Sequence, residues 1–242
     1  MYLRTALFSV LFIALAACSE STAPTAPAAV SEPQVSKAPP GAPESFDIVI
    51  RNGSVYTGNG GAAIRADIAI NGDRIAAIGE ISGSAETIID ASGLAVAPGF
   101  INMLSWANES LIEDGRSQSD VRQGVTLEVM GEGWSMGPLN DAMKEEMIRR
   151  QGDTKADIEW TTLGEYQQYL ESRGISNNVA SFIGATTVRI HELGEEDRPP
   201  APEELERMKA LVAQAMEEGA LGVGSSLIYA PAFYSTTEEL IE

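Results

Sequence analysis

The chain has 242 residues, enough for one large domain or two smaller ones. Its 35 acidic and 16 basic side chains leave a net charge of −19, which argues against a duplex nucleic-acid binder, because phosphate contacts need clustered lysine and arginine. One cysteine excludes an internal disulfide, and one histidine excludes a metal site built from several imidazoles of this chain.

Met1 to Ala17 has the form of an export signal. Arg4 gives a positive start, and Leu7 to Ala17 is apolar apart from Ser9, too short a run to cross a bilayer as a stable helix. Leu15-Ala16-Ala17-Cys18 resembles the bacterial lipobox, in which cleavage precedes the cysteine and its thiol is lipidated. An ordinary signal peptide, or an anchor with an incidental cysteine, is the alternative. On the lipobox reading Cys18 is the lipidation site, and Ser19 favours an exported protein anchored at the periplasmic face of the outer membrane. Residues 18–45 are rich in Pro, Ala, Ser and Thr and read as a disordered tether, since they bury too little apolar surface to offset their ordering entropy.

Folding is expected to begin near Phe46. Phe46 to Ile50 is a candidate strand, Arg51-Asn52-Gly53 a turn with a hairpin signal, Asp67 to Ile70 an alternating strand, and Asn71-Gly72 a second turn. Arg74 to Ile78 and Thr87 to Ile89 add two strands, so residues 46–95 predict a small β-sandwich. Leu94 to Leu104 is a mostly apolar run that suits a buried strand. Val125 to Met130 follows as a strand ending in Gly131-Glu132-Gly133. Leu163, Tyr166 and Leu170 stand at helical spacing, with Gly174 as a stop, and Val179 to Ile183 is another strand. Leu205, Met208, Val212, Ala215 and Met216 form an apolar stripe on a helix entered at Pro202 and stopped by Gly219; Ala220 to Gly224 is the last strand.

Alternating strands and helices predict parallel βαβ units. Four such strands over residues 96–242 are half of an eight-stranded barrel, which takes about 250 residues by itself. The expected class is therefore α/β: a small N-terminal β-sandwich followed by the first half of a (β/α)8 TIM-type barrel, with the chain an N-terminal fragment. An open four-stranded sheet is the alternative. In a barrel the chemistry belongs just after Leu104, Gly131, Ile183 and Gly224, at the strand ends.

Asp47-Ile48-Val49-Ile50-Arg51-Asn52-Gly53, Ile70-Asn71-Gly72-Asp73-Arg74-Ile75-Ala76-Ala77-Ile78-Gly79 and Ile89-Asp90-Ala91-Ser92-Gly93 resemble the opening of the amidohydrolase superfamily. Val96-Ala97-Pro98-Gly99-Phe100-Ile101 resembles the entry into its first barrel strand. Gln123-Gly124-Val125-Thr126, Met216-Glu217-Glu218-Gly219-Ala220-Leu221-Gly222, Leu227-Ile228-Tyr229-Ala230-Pro231 and Tyr234-Ser235-Thr236-Thr237-Glu238-Glu239-Leu240 resemble its N-acyl-D-amino-acid deacylase (D-aminoacylase) branch. The resemblance implies a metal-dependent hydrolase of non-peptide carbon–nitrogen bonds, with an N-acyl amino acid as substrate and a divalent metal, typically zinc. It also implies that two further histidines and a catalytic aspartate come from a later half of the barrel, so that the fragment alone is inactive.

The family's first strand ends in Asp-x-His-x-His, where Leu104 and Trp106 stand here; neither ligates zinc. The branch's Gly-Asn-Cys-Gly is matched by Gly131-Glu132-Gly133-Trp134, with Gly133 at the cysteine. A shift of one residue would bring the Glu132 carboxylate to that place as a metal ligand; otherwise Glu132 is a solvated or helix-capping acid. His191 is expected in a loop beyond the third strand. Arg189 is a candidate for a substrate carboxylate, or else a surface partner of Glu192 or Glu195. Ser225 and Tyr229 are candidates for the substrate pocket, or packing residues. Gly222 to Ser226 lacks the lysine and glycine spacing of a phosphate loop. The competing class is a degenerate lipoprotein of this fold that binds without catalysis.

Overall fold

The computed structural model describes residues 45–152 and 156–242. The export signal, Cys18 and the tether up to residue 44 lie outside the described residues. The chain divides after Val96 into two compact units.

The first unit is organised around one long strand, β1 (Ser45–Val55). It pairs antiparallel with β2 (Ile64–Asn71), which pairs antiparallel with β3 (Arg74–Gly79). On its other side β1 runs parallel to β4 (Ser84–Asp90) and then to β5 (Ala95–Val96). The expected sandwich is thus a single five-stranded sheet among the described residues. Phe46, Val49, Ala69 and Ile81 form one apolar cluster and Val55, Ala66 and Ile68 another.

Arg51-Asn52-Gly53 is not a turn. The register between β1 and β2 slips there, so two residues oppose Asp67 and β1 continues through a bulge with Asn52 at φ 64°. The carboxylate of Asp67 holds the bulge: it accepts the Asn52 amide at 2.9 Å and the Arg51 guanidinium at 2.9 Å. Asn-Gly at 52 and 53 therefore reads as a hairpin locally while Asp67, distant in sequence, turns it into a kink. At Asn71-Gly72 the expected hairpin does form, with Gly72 at φ 56° between β2 and β3.

The second unit is parallel. β6 (Phe100–Asn102), β7 (Val125–Met130) and β8 (Asn178–Ser181) form one three-stranded sheet in chain order, and β9 (Ile183–Gly184) pairs with β10 (Val223–Gly224). The apolar run from Leu94 supplies two short pieces, β5 and β6, instead of one strand, and the fourth expected strand is reduced to Val223–Gly224. Two short helices, α1 (Ser110–Glu113) and α2 (Gln118–Val121), link β6 to β7. Helices α3 (Asp141–Arg150) and α4 (Leu163–Arg173) link β7 to β8; α5 (Ala185–Leu193) and α6 (Pro202–Glu217) link β9 to β10. A 3-10 turn at Ala232–Tyr234 and α7 (Thr237–Ile241) follow.

Helix α4 forms where Leu163, Tyr166 and Leu170 lie on one buried face. Thr162 and Glu165 close a capping box at its start, and Gly174 at φ 76° ends it. Its buried face meets Trp160, whose ring packs 5.2 Å from Tyr166 and 4.8 Å from Tyr169. Both polar handles of this cluster are satisfied: Trp160 Nε1 donates to Met136 O at 2.6 Å, and Tyr166 OH donates to Asn108 O at 2.8 Å. Burial pushes the Tyr166 hydroxyl well above its ordinary range. At the start of α6, Arg198 draws the Glu204 carboxyl down to about 2 while Glu204 also accepts the Ala201 amide.

Glu128 on β7 is fully buried. Its carboxylate is held by two amides, Asn102 Nδ2 at 3.0 Å and Asn177 Nδ2 at 2.9 Å. A buried acceptor that loses its donor forfeits about 1–3 kcal/mol, more when charged. Asn177→Ala is expected to destabilise the protein by about that amount, read from the urea midpoint at unchanged slope. A midpoint equal to the parent's would show that this amide does not support Glu128.

Candidate functional site

The carboxyl ends of the parallel strands carry the residues that the sequence singles out. Beyond β7 the chain runs Gly131-Glu132-Gly133-Trp134-Ser135 against the start of α5. Gly133 O accepts the Thr186 amide at 3.0 Å, Thr187 Oγ1 accepts the Ser135 amide at 2.8 Å, and Ser135 Oγ accepts the Gly184 amide at 3.0 Å. Ser135 and Thr187 are both buried, so this loop is bonded firmly to β9 and α5. These two hydroxyls carried no motif and went unnoticed in sequence.

Gly133 stands where the branch places its cysteine. Its φ is 75°, and a Cβ there would lie 2.7 Å from Ser226 Cβ and 3.1 Å from Ser226 N. No thiolate fits that place, because the backbone beyond β10 already fills it. Leu104 and Trp106, at the family's two histidine places, have apolar side chains that are 52% and 58% exposed. Glu132 is half-buried, and among the described residues no three His, Cys, Asp or Glu side chains converge on one point that a metal ion would occupy. The described residues therefore do not fit a divalent metal, whose site needs several such donors.

His191 lies in the last turn of α5, not in a loop. The stretch Ala-Thr-Thr-Val-Arg-Ile reads poorly as helix because β-branched residues lose rotamer freedom there, yet Thr186, Thr187 and Val188 are all buried by it. His191 Nδ1 is 2.9 Å from Glu192 Oε1, and Glu192 also accepts Arg207 Nε at 2.6 Å.

Arg189 has a fully buried side chain. The carboxylate it meets is neither a ligand's nor that of Glu192 or Glu195 but that of Glu239 on α7, at 2.7 and 2.8 Å. Its second nitrogen donates to Arg198 O at 2.6 Å and Glu196 O at 3.3 Å. Arg189 thus ties α5 to α7 and to the loop before α6. Glu239 was missed because nothing local marks a partner 50 residues away. Ser225 and Tyr229 follow β10 and are exposed, Tyr229 at 62%.

A cavity of about 670 Å³ lies beside this loop, lined by Trp106, Trp134, Met136, Met143, Met147 and His191 among others. Asn140 caps α3 by accepting the Met143 amide and donates to His191 O at 2.9 Å, fixing two walls of the cavity. A capping asparagine followed by methionines at i and i+4 was the available signal for this wall.

No protein-family profile matches the chain. In sequence it is 33% identical over 201 residues to the D-aminoacylase of Alcaligenes xylosoxydans xylosoxydans, covering 82% of this chain and 41% of that protein. It is 30% identical over 203 residues to the N-acyl-D-aspartate deacylase of the same organism, covering 83% and 41%. In structure it matches a D-aminoacylase with a binuclear metal center at a TM-score of 0.73 and 30% identity, covering 81% of this chain and 42% of that one. It matches the N-acyl-D-glutamate deacylase from Bordetella bronchiseptica, solved with zinc and a phosphonate inhibitor, at a TM-score of 0.72 and 28% identity, covering 81% and 41%. The chain spans about two fifths of the length of the curated relatives it matches.

The chain is a mixed α/β protein whose parallel strands keep sequence order, and its structural neighbours along most of its length are amidohydrolase D-aminoacylases. Its homologues are a D-aminoacylase and the N-acyl-D-aspartate and N-acyl-D-glutamate deacylases.

Removing one partner of a buried ion pair strands the other charge and costs about 3–5 kcal/mol. Glu239→Ala is expected to lose that much stability in chemical denaturation, and the double change Arg189→Met with Glu239→Leu to lose less than either single change. Additive losses would overturn the pairing.

Proposed function

We propose that the complete protein hydrolyses the amide carbon–nitrogen bond of an N-acylated amino acid, and that residues 96–242 are the first four strand–helix steps of a (β/α)8 barrel. The observation that carries this reading is the 33% identity to a D-aminoacylase along 82% of the chain. The edges of the parallel array support the barrel. Phe100 and Ile101 on β6 and Val223 on β10 are more than half exposed, and further strands paired to both edges would cover them. Because the described residues assemble no metal set, the reacting groups of such a hydrolase come from outside them, and this chain by itself is inactive.

A second reading keeps the fold and drops the catalysis. Leu104 and Trp106 supply no donor, and Gly133 has no room for one. In that case the protein is a binding lipoprotein. Both readings share an exported chain anchored through Cys18, with residues 18–45 as its tether.

The deciding experiment assays the complete, signal-free protein against N-acetyl-D-amino acids, following release of the free amine, with metal content measured after dialysis. Turnover supports the hydrolase. Binding of the same compounds without turnover, at no bound metal, overturns it in favour of the second reading. For the anchor, cells fed labelled palmitate are expected to label the protein, and Cys18→Ser to abolish the label; equal labelling of both would remove the lipobox.

A further inference from the structure

Trp106 occupies a histidine position of the family and Trp134 follows the closed Gly133, and both line the cavity of about 670 Å³ beside the strand ends. That volume lies within the roughly 300–1,000 Å³ of pockets that hold small molecules. Its walls are Met136, Met143, Met147 and Ile190. Unbranched, polarizable methionines adapt to ligands of varied shape. Trp106 is 58% and Trp134 40% exposed, so a ligand stacked on them would remove a large aromatic surface from water.

Several polar groups of the lining are engaged by the protein itself. Ser135 Oγ donates to Gly137 O at 2.5 Å and accepts the Gly184 amide, and Asn140 is used at both ends of its amide. Arg150, the cation of the lining, is paired with Glu146. Glu109 and Glu195 are exposed members of the lining, and their charges disfavour an anionic group there. The lining that remains is mainly apolar, with Asn108 and His191 beside it and exposed carboxylates among its members.

We propose that this cavity binds an uncharged alkyl or aryl group. The site is then one of recognition.

The test titrates the complete protein with the neutral fluorophore N-phenyl-1-naphthylamine and displaces it with 1-octanol, which has no amide to cleave. Saturable binding displaced by octanol is expected. Trp134→Ala should weaken it roughly tenfold, the scale of one lost aromatic contact plus its buried area. Met147→Glu, which places a charge in the wall, should abolish it, and Ile75→Ala in the first unit should leave it unchanged. Circular dichroism establishes that each variant is folded; if Met147→Glu is not, the comparison of Trp134→Ala with Ile75→Ala decides. No saturable binding, or binding by Trp134→Ala equal to the parent's, overturns the proposal. Binding without turnover of N-acyl amino acids keeps the cavity and overturns the hydrolase; turnover without binding does the reverse.

Discussion

At the carboxyl ends of β7, β9 and β10 the backbones come so close that side chains are shut out. A Cβ on Gly224 would lie 2.3 Å from Gly131 O, one on Gly184 2.3 Å from Gly133 O, and one on Gly131 2.1 Å from Phe182 O. Such contacts admit only glycine. They set the spacing of the parallel array, and they decide what the strand ends offer. With no side chain at 131, 133, 184 or 224, chemistry at these ends has to come from the loops beyond. The loop beyond β7 carries Glu132, Trp134 and Ser135, of which Ser135 is spent on structure.

The second unit relies on a few buried polar links across its helices. Glu128 accepts hydrogen bonds from two amides, and Arg189 is paired with Glu239. Each link joins segments far apart in sequence: Glu128 to Asn102 and Asn177, Arg189 to Glu239. Buried pairs add little net stability compared with apolar packing, but they penalise any arrangement that separates the partners. The burial of Arg189 therefore argues for a structural part in positioning α5, and α5 in turn bears His191 and Ile190 on the cavity wall.

Elements governed by local periodicity were legible in sequence. The strand Val125–Met130 has the expected limits, α4 runs to the glycine that stops it, and α6 begins at Pro202. Elements governed by distant partners were not. Asp67 converts an apparent turn at Asn52 into a bulge, and packing makes a helix of β-branched residues around Val188. The site divides along the same line. The replacement of histidines by Leu104 and Trp106 was visible at once, because it needed only a resemblance. The closure at Gly133 was not, because it depends on where Ser226 lies.

That closure bears on what the strand ends can hold. A metal site needs several donors at fixed geometry, so losing one disables it and removes the constraint on the others. An apolar cavity has no such threshold: each added aromatic or methionine contributes its own buried area. Once position 133 carries no donor, nothing on metal grounds favours histidine at 106 over tryptophan. Tryptophan there brings more apolar surface to a cavity whose walls include three methionines, Leu139 and Ile190. Gly133 thus leaves its strand end without a donor, while Trp106 and Trp134 add aromatic surface to the cavity beside it.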